Sequence, residues 1–294
     1  MFLKGEKCLK VRKFQSDDVE IVASELGDPN HSAVVFLHGA GQTRYAWRNT
    51  AQILADTGYY VLALDLRGHG DSDWSSKGDY SSDAFIADLK VVIGQLGSPP
   101  VLIGASLGGL VSLLTVGETS EPMAKALLMV DVTPKVDMDA RGRIIGFMQS
   151  NQLGFADAEE AATAVSAYLP HRPKPKNPSG LMRNLRKQED GRYYWHWDPM
   201  FFDSPNATHN DPESRYSAAA LNIHVPTLLI RGEHSDLVTE ESVKHFLSLI
   251  PDAEYVDVFG AHHMLVGDKN DAFTQSILDF LDRQAVGQSA FQGE

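Results

Sequence analysis

Short apolar runs alternate with amphipathic segments along much of the chain. The apolar runs are rich in β-branched residues, as in Val34–Leu37, and this pattern predicts buried strands. Between them, segments such as Ser82–Leu96 carry Phe85, Leu89 and Val92 at helical spacing, which predicts helices with one apolar face. Regular alternation of strand and helix predicts an α/β fold with a doubly wound, mostly parallel sheet.

The predicted elements flank a less regular middle segment. The predicted strands are Leu9–Phe14 and Val19–Leu26, which form an antiparallel edge hairpin, and then Val34–Leu37, Tyr60–Leu64, Val101–Ile103, Ala126–Val130, Thr227–Ile230 and Glu254–Phe259. The predicted helices are Trp47–Thr57, Ser82–Leu96, Leu107–Val116, Thr239–Leu249 and Asp271–Leu281.

The alternation breaks between residues 134 and 218. This segment includes a proline-rich stretch at 170–178, and prolines spaced so closely cannot lie inside a helix. We therefore predict a core made of residues 1–133 and 219–294, interrupted by a helical cap at 134–218. Aromatic residues cluster in the cap, and they fit an apolar substrate site or the cap's own core equally well. They are Tyr193, Tyr194, Trp195, Trp197, Phe201 and Phe202.

Composition narrows the class of protein. The 294 residues carry a formal net charge of −13 and no Lys/Arg cluster, which argues against nucleic acid as a partner. The single cysteine, Cys8, excludes an internal disulfide. Charged residues interrupt the apolar positions near the start, and no run is long enough to span a membrane. We expect a soluble cytoplasmic protein without a membrane partner, and a homodimer is possible.

The strongest chemical motif is Gly104-Ala105-Ser106-Leu107-Gly108, which matches G-x-S-x-G. A predicted strand precedes it and a predicted apolar helix follows it, as a nucleophilic serine on a tight strand-to-helix turn requires. Small residues are needed two positions before and after the serine, and both are glycine. We predict Ser106 as the nucleophile and the backbone N–H of Leu107 as an oxyanion donor.

A second glycine-rich loop, His38-Gly39-Ala40-Gly41, follows the strand that ends at Leu37. Glycines let a backbone approach a substrate closely. We predict that the N–H of Ala40 is the second oxyanion donor, and that His38 is a structural residue that holds the loop. No metal or cofactor is needed for this chemistry.

Serine needs a base at neutral pH, and the base needs an acid partner. Loops after the last two predicted strands supply both, because loops after parallel strands open on the same edge of the sheet. We predict Asp236 as the acid, with Glu233 and Asp131 as rivals, and His263 as the base, with His262 as its rival. His234 is expected to be an exposed loop residue.

Taken together, these motifs resemble the α/β-hydrolase superfamily over nearly the whole chain, and most closely its capped bacterial esterases and non-haem haloperoxidase-like members. The segment Asp65–Ser72 belongs to the resemblance as a structural turn, which implies no catalytic role for His69. In such relatives the histidine follows Gly-x-Gly; here His262 stands in place of the second glycine, and alignment on Met264 makes His263 the base. Epoxide hydrolases and haloalkane dehalogenases of this fold carry an aspartate at the tight turn of the G-x-S-x-G motif, called the elbow. The serine at this position in the present chain argues against both activities.

The resemblance implies a serine hydrolase that acts on carboxylic esters of small to medium apolar or aromatic molecules through an acyl-enzyme. Lactonase, carbon–carbon hydrolase and perhydrolase or haloperoxidase-type activities remain alternatives at the same site. A ligand-binding, receptor-like protein with a retained triad is an alternative of another class.

Overall fold

An eight-stranded sheet forms the centre of the molecule in the computed structural model, which describes residues 10–168, 178–261 and 271–284. The sheet strands are β1 (Lys10–Ser16), β2 (Val19–Leu26), β3 (Ala33–Leu37), β4 (Tyr60–Leu64), β5 (Val101–Ala105), β6 (Ala126–Val130), β9 (Thr227–Gly232) and β10 (Glu254–Val258). A separate antiparallel pair is formed by β7 (Leu185–Lys187) and β8 (Tyr193–Trp195).

The order across the large sheet is β1-β2-β4-β3-β5-β6-β9-β10. Only β2 runs antiparallel to its neighbours, and every other pair is parallel. The predicted doubly wound, mostly parallel sheet and its edge hairpin are therefore confirmed for the described residues.

Helices cover both faces of the sheet. They are α1 (Arg48–Asp56), α2 (Ser82–Gly94), α3 (Leu107–Gly117), α4 (Met138–Gln149), α5 (Ala158–Tyr168), α6 (Met200–Asp203), α7 (Glu213–Ala220), α8 (Glu240–Leu249) and α9 (Asp271–Arg283). Every residue of β3 is buried: Val35 and Leu37 join one apolar cluster, and Val34 and Phe36 join the other. Alternate residues of the strand thus pack into the apolar clusters on opposite faces of the sheet. This explains why the strand sequences are continuously apolar.

The irregular middle of the sequence lies between β6 and β9. It holds α4, α5, the β7–β8 hairpin, α6 and α7. Helix α7 packs closely on α3: a Cβ added at Gly117 would lie 2.2 Å from the carbonyl oxygen of Ala219. The predicted cap boundary at residue 218 falls inside α7, and the domain limits remain a prediction. In the part of the chain that the structure describes, no helix is both long and apolar enough to cross a membrane.

Candidate active site

Ser106 occupies a strained turn between β5 and α3. Its backbone has φ 46° and ψ −114°, a conformation that side-chain-bearing residues rarely adopt. A Cβ at Gly104 would lie 2.3 Å from the carbonyl oxygen of Gly108, so the glycines of the motif are sterically required. The Ser106 side chain does not cap α3, although it precedes the helix. Its hydroxyl is therefore not used as an ordinary helix cap.

Both predicted oxyanion donors lie beside this serine. Leu107 is the first residue of α3, so its N–H has no carbonyl partner within the helix. The loop after β3 approaches from the other side: a Cβ on Gly39 would lie 3.4 Å from the Cβ of Ser106. Ala40, Ser106 and Leu107 all line the same cavity.

His38 holds the glycine-rich loop 38–41 in place, as the sequence predicted. Its Nδ1 lies 2.7 Å from the carbonyl oxygen of Gly39, and its Nε2 accepts a hydrogen bond of 3.0 Å from the N–H of Leu66. Because a carbonyl can only accept, the proton is on Nδ1. Complete burial lowers the pKa of His38 to about 4, so the ring is neutral near pH 7.

The cavity beside Ser106, called here the Ser106 pocket, has a volume of about 360 Å³. Its walls come from α3, from one face of α4, and from the segment 201–216. Apolar side chains dominate, among them Leu110, Ile144, Ile145, Met148, Phe201 and Phe202. A pocket of this size and character suits a small to medium apolar ligand.

Asp131 lies at the carboxyl end of β6, next to the strand that carries the serine. The N–H of Ser106 bonds to the carbonyl of Val130 at 3.1 Å, which places Asp131 one residue beyond that contact. Its side chain is 1% exposed and its φ is 51°. One carboxylate oxygen accepts from the N–H of Gly232 at 3.0 Å, and the other from the hydroxyl of Ser235 at 2.7 Å. From the sequence, Asp131 was a rival acid or a residue bonding backbone amides at the start of the cap; the donors found here instead lie at the end of β9 and in the loop after it.

Asp236 lies in the loop after β9 with its side chain 62% exposed. It forms an ion pair of 2.5 Å with Arg143 of α4, whose side chain is 56% exposed. The other rival acid, Glu233, accepts a hydrogen bond from the N–H of Gly260 at 2.8 Å.

His262 and His263 lie outside the described residues. The chain leading to them is held against the loop after β9, because the N–H of His234 bonds to the carbonyl of Ala261 at 2.8 Å. The His234 side chain is 54% exposed, as predicted for a loop residue.

Three buried histidines lie together beside the glycine-rich loop 38–41. The ring centroids of His38 and His69 are 5.2 Å apart, and those of His69 and His196 are 5.9 Å apart. His196 comes from the inserted segment: its Nδ1 accepts from the N–H of Gly70 at 2.8 Å, and its Nε2 lies 3.2 Å from the carbonyl of Gly41. Burial lowers the pKa of His69 to about 3 and that of His196 well below its usual value.

The aromatic cluster of the inserted segment divides into two parts. Trp195 and Trp197 are buried and stack with ring centroids 4.8 Å apart, so they form core. Phe201 and Phe202 line the Ser106 pocket. Arg141 and His209 also line the pocket, and neither was singled out from the sequence. The sequence feature that could have identified Arg141 is its position among apolar residues that recur at helical spacing in α4.

Comparison with known proteins agrees with the observed fold. The family model described as "alpha/beta hydrolase fold" matches residues 32–270. An esterase of Mycobacterium tuberculosis is 28% identical over 214 residues, which cover 71% of this chain and 68% of that protein. The sn-1-specific diacylglycerol lipase ABHD11 of Mus musculus is 27% identical over 270 residues, covering 87% of this chain and 82% of that protein.

Among solved structures, E-2-(acetamidomethylene)succinate hydrolase superposes with a TM-score of 0.83 at 20% identity, covering 94% of this chain and 100% of that chain. This likeness concerns the fold alone. The family model spans most of the chain, including the elbow at Ser106 and the loop at Ala40. The chain therefore belongs to the alpha/beta hydrolase fold family.

Proposed function

We propose that this chain is a serine hydrolase of carboxylic esters, with small to medium apolar or aromatic substrates. The observation that carries the proposal is Ser106 on a strained turn, open to an apolar pocket whose lining includes Ala40 and Leu107. Names of related proteins, an esterase and a diacylglycerol lipase, support ester chemistry.

In the proposed mechanism, the Ser106 hydroxyl oxygen attacks the ester carbonyl while His263 accepts its proton. The N–H groups of Ala40 and Leu107 stabilise the negative charge that develops on the carbonyl oxygen. The tetrahedral intermediate then breaks its bond to the alcohol, which leaves with the proton from His263. Water, deprotonated by the same histidine, attacks the acyl-enzyme and releases the carboxylic acid and the free serine.

For the acid that orients the histidine, the geometry supports Asp131 better than Asp236. Asp131 is buried beside Ser106, and the N–H of Gly232 and the hydroxyl of Ser235 each hold one of its carboxylate oxygens. A buried carboxylate held in this way has a fixed direction, as a triad acid requires. Asp236 is exposed, and its charge is already paired with Arg143. Asp236 remains the alternative that mutation must test.

The test compares wild type with Ser106→Ala on a series of p-nitrophenyl esters. We expect measurable turnover by wild type, labelling by a fluorophosphonate, and loss of both in the variant, with circular dichroism as the folding control. Unchanged hydrolysis by Ser106→Ala would overturn the proposal. Tight ligand binding by wild type without turnover would also contradict it, and would favour a receptor-like role.

A further inference from the structure

A single face of α4 lines the Ser106 pocket, and one of its residues is charged. Met138, Arg141, Ile145 and Met148 recur at spacings of three and four, so they share that face. Three of the four are apolar, as a wall for an apolar ligand requires. Arg141 is the exception, and it places a permanent positive charge in the wall of a largely apolar cavity.

The guanidinium of Arg141 makes no ion pair and no side-chain hydrogen bond with any residue in the described ranges. Its neighbour on the same helix, Arg143, is paired with Asp236. Two acids line the pocket as well, but Asp211 pairs with Arg215 at 3.2 Å, and Glu213 is exposed to solvent, which screens its charge. The charge of Arg141 is thus available to a ligand.

His209 adds a second polar group beside Arg141. It is half-buried against the rings of Phe201 and Phe202, at centroid distances of 6.3 and 5.9 Å. Burial lowers the pKa of His209, and the nearby charge of Arg141 lowers it further, so the ring is neutral near pH 7. Its Nδ1 is buried without a hydrogen-bond partner among the described residues. The His209 ring lines the pocket and, when neutral, carries one N–H that can donate a hydrogen bond.

The helix itself sets the distance between this polar pair and the reacting serine. Met148 contacts the glycine-rich loop 38–41, because a Cβ at Gly41 would come within 2.9 Å of the Met148 methyl group. Arg141 precedes Met148 by two helical turns, a separation of about 10 Å along the axis. A group bound at Arg141 would therefore lie well away from the scissile bond, with apolar side chains between the two.

We propose that Arg141, with His209 beside it, binds a carboxylate of the substrate, so that the enzyme prefers esters with an anionic group at the far end of an apolar chain. This inference rests on the proposed ester hydrolase function and names its substrate class. The carboxylate belongs to either the acyl or the alcohol part of the ester, and the experiment below separates the two.

The test compares mono-p-nitrophenyl adipate with p-nitrophenyl hexanoate, which has the same chain length but no carboxylate. The corresponding pair for the alcohol side is the butyrate ester of para-hydroxybenzoate and phenyl butyrate. We expect Arg141→Gln to lower kcat/KM for the anionic member of one pair by about 10–100-fold, mainly through KM, as for a lost charged hydrogen bond. The kcat/KM for the neutral ester should not change in Arg141→Gln. The Arg141→Lys variant should retain part of the preference for the anionic ester.

The matched control is Lys90→Gln, which removes one positive charge from an exposed position of α2 outside the pocket. This variant should leave kcat/KM unchanged for both esters of each pair. Equal loss on anionic and neutral esters, or no loss on either, would overturn the inference while leaving the proposed hydrolase intact.

Binding provides a readout that does not depend on turnover. Calorimetry with monomethyl adipate and the Ser106→Ala variant should give a Kd that weakens when Arg141→Gln is added. For a carboxylate on the alcohol part, the ligand is the butyrate ester of para-hydroxybenzoate; an unchanged Kd for both ligands would overturn the carboxylate site. Failure of wild type to hydrolyse any of the esters, together with Arg141-dependent binding, would instead contradict the proposed function alone.

Discussion

Ser106 and Asp131 share an unusual backbone conformation. They are two of the four non-glycine residues with positive φ in the described part of the chain, and they follow directly after the adjacent strands β5 and β6. Such strain costs about 1–3 kcal/mol per residue and persists where the surroundings enforce it, often at functional sites. Asp236 shows neither strain nor burial, and this contrast is the basis of the proposal that Asp131 is the acid.

Substitution of the two aspartates separates them. Asp131→Asn should lower kcat about 10³–10⁴-fold, because an amide in place of a triad acid favours the wrong histidine tautomer. Asp236→Asn, which removes one exposed ion pair, should change kcat little. Steady-state kinetics on a p-nitrophenyl ester measures both. The reverse result would assign the acid to Asp236, and a thermal melt of each variant controls for folding.

At the level of elements, the contact between α3 and α7 holds the helix that begins directly after Ser106. The two helices meet backbone to backbone, since Gly117 leaves no room for a side chain against Ala219. The inserted segment returns to the core through this contact. The sequence pattern predicted α3, but a glycine near a helix end is ordinarily interpreted as a stop signal rather than a packing surface.

Gly117→Ala tests this contact, because its Cβ would lie 2.2 Å from a backbone carbonyl. We expect a loss of about 1–3 kcal/mol in the free energy of unfolding, as for overpacked cores. Gly94→Ala is the matched control: Gly94 also ends its helix, α2, and a Cβ there meets nothing within 4 Å. Urea denaturation should show the control to be neutral or slightly stabilising. Equal stability of both variants would show that α3 and α7 separate without cost.

At the level of the whole molecule, buried histidines join the inserted segment to the core. The His196 ring bonds both the glycine-rich loop 38–41 and the turn at Gly70, and the rings of His69 and His38 pack next to it in turn. Burial is the main cause of all three lowered pKa values. Arg186 lowers the pKa of His69 and His196 further, Arg44 does so for His38, and Asp65 opposes the shift at His69.

These values predict that stability falls as the pH falls below about 6.5, the ordinary pKa of histidine. Below this pH the histidines of the unfolded chain become protonated, whereas the buried histidines of the folded chain stay neutral. This difference persists until the pH reaches the folded pKa, about 4 for His38 and about 3 for His69. Between pH 7 and pH 5, each of these two histidines should lower the free energy of unfolding by about 2 kcal/mol.

Urea denaturation at pH 7 and at pH 5 measures this drop in the free energy of unfolding. His69→Leu should reduce it by about 2 kcal/mol, because that side chain no longer takes up a proton on unfolding. Replacement of the exposed His31 by Gln is the control and should leave the drop unchanged. A drop that is the same in His69→Leu and wild type would contradict this assignment.

The sequence by itself determined the sheet, its order of elements and the position of Ser106. Apolar periodicity and steric demands are local properties: Gly104 and Gly108 are readable because only glycine fits an elbow so tight. Sequence reasoning ranked Asp236 above Asp131 on loop position alone, and loop position does not reveal burial. Nor could sequence reasoning place Arg141 in the pocket, because the direction of an inserted helix depends on how it packs against the core. Burial, pairing and distance are properties of the folded chain, and only the tertiary structure showed that Asp131 is buried, that Asp236 is paired with Arg143, and that Arg141 lines the Ser106 pocket.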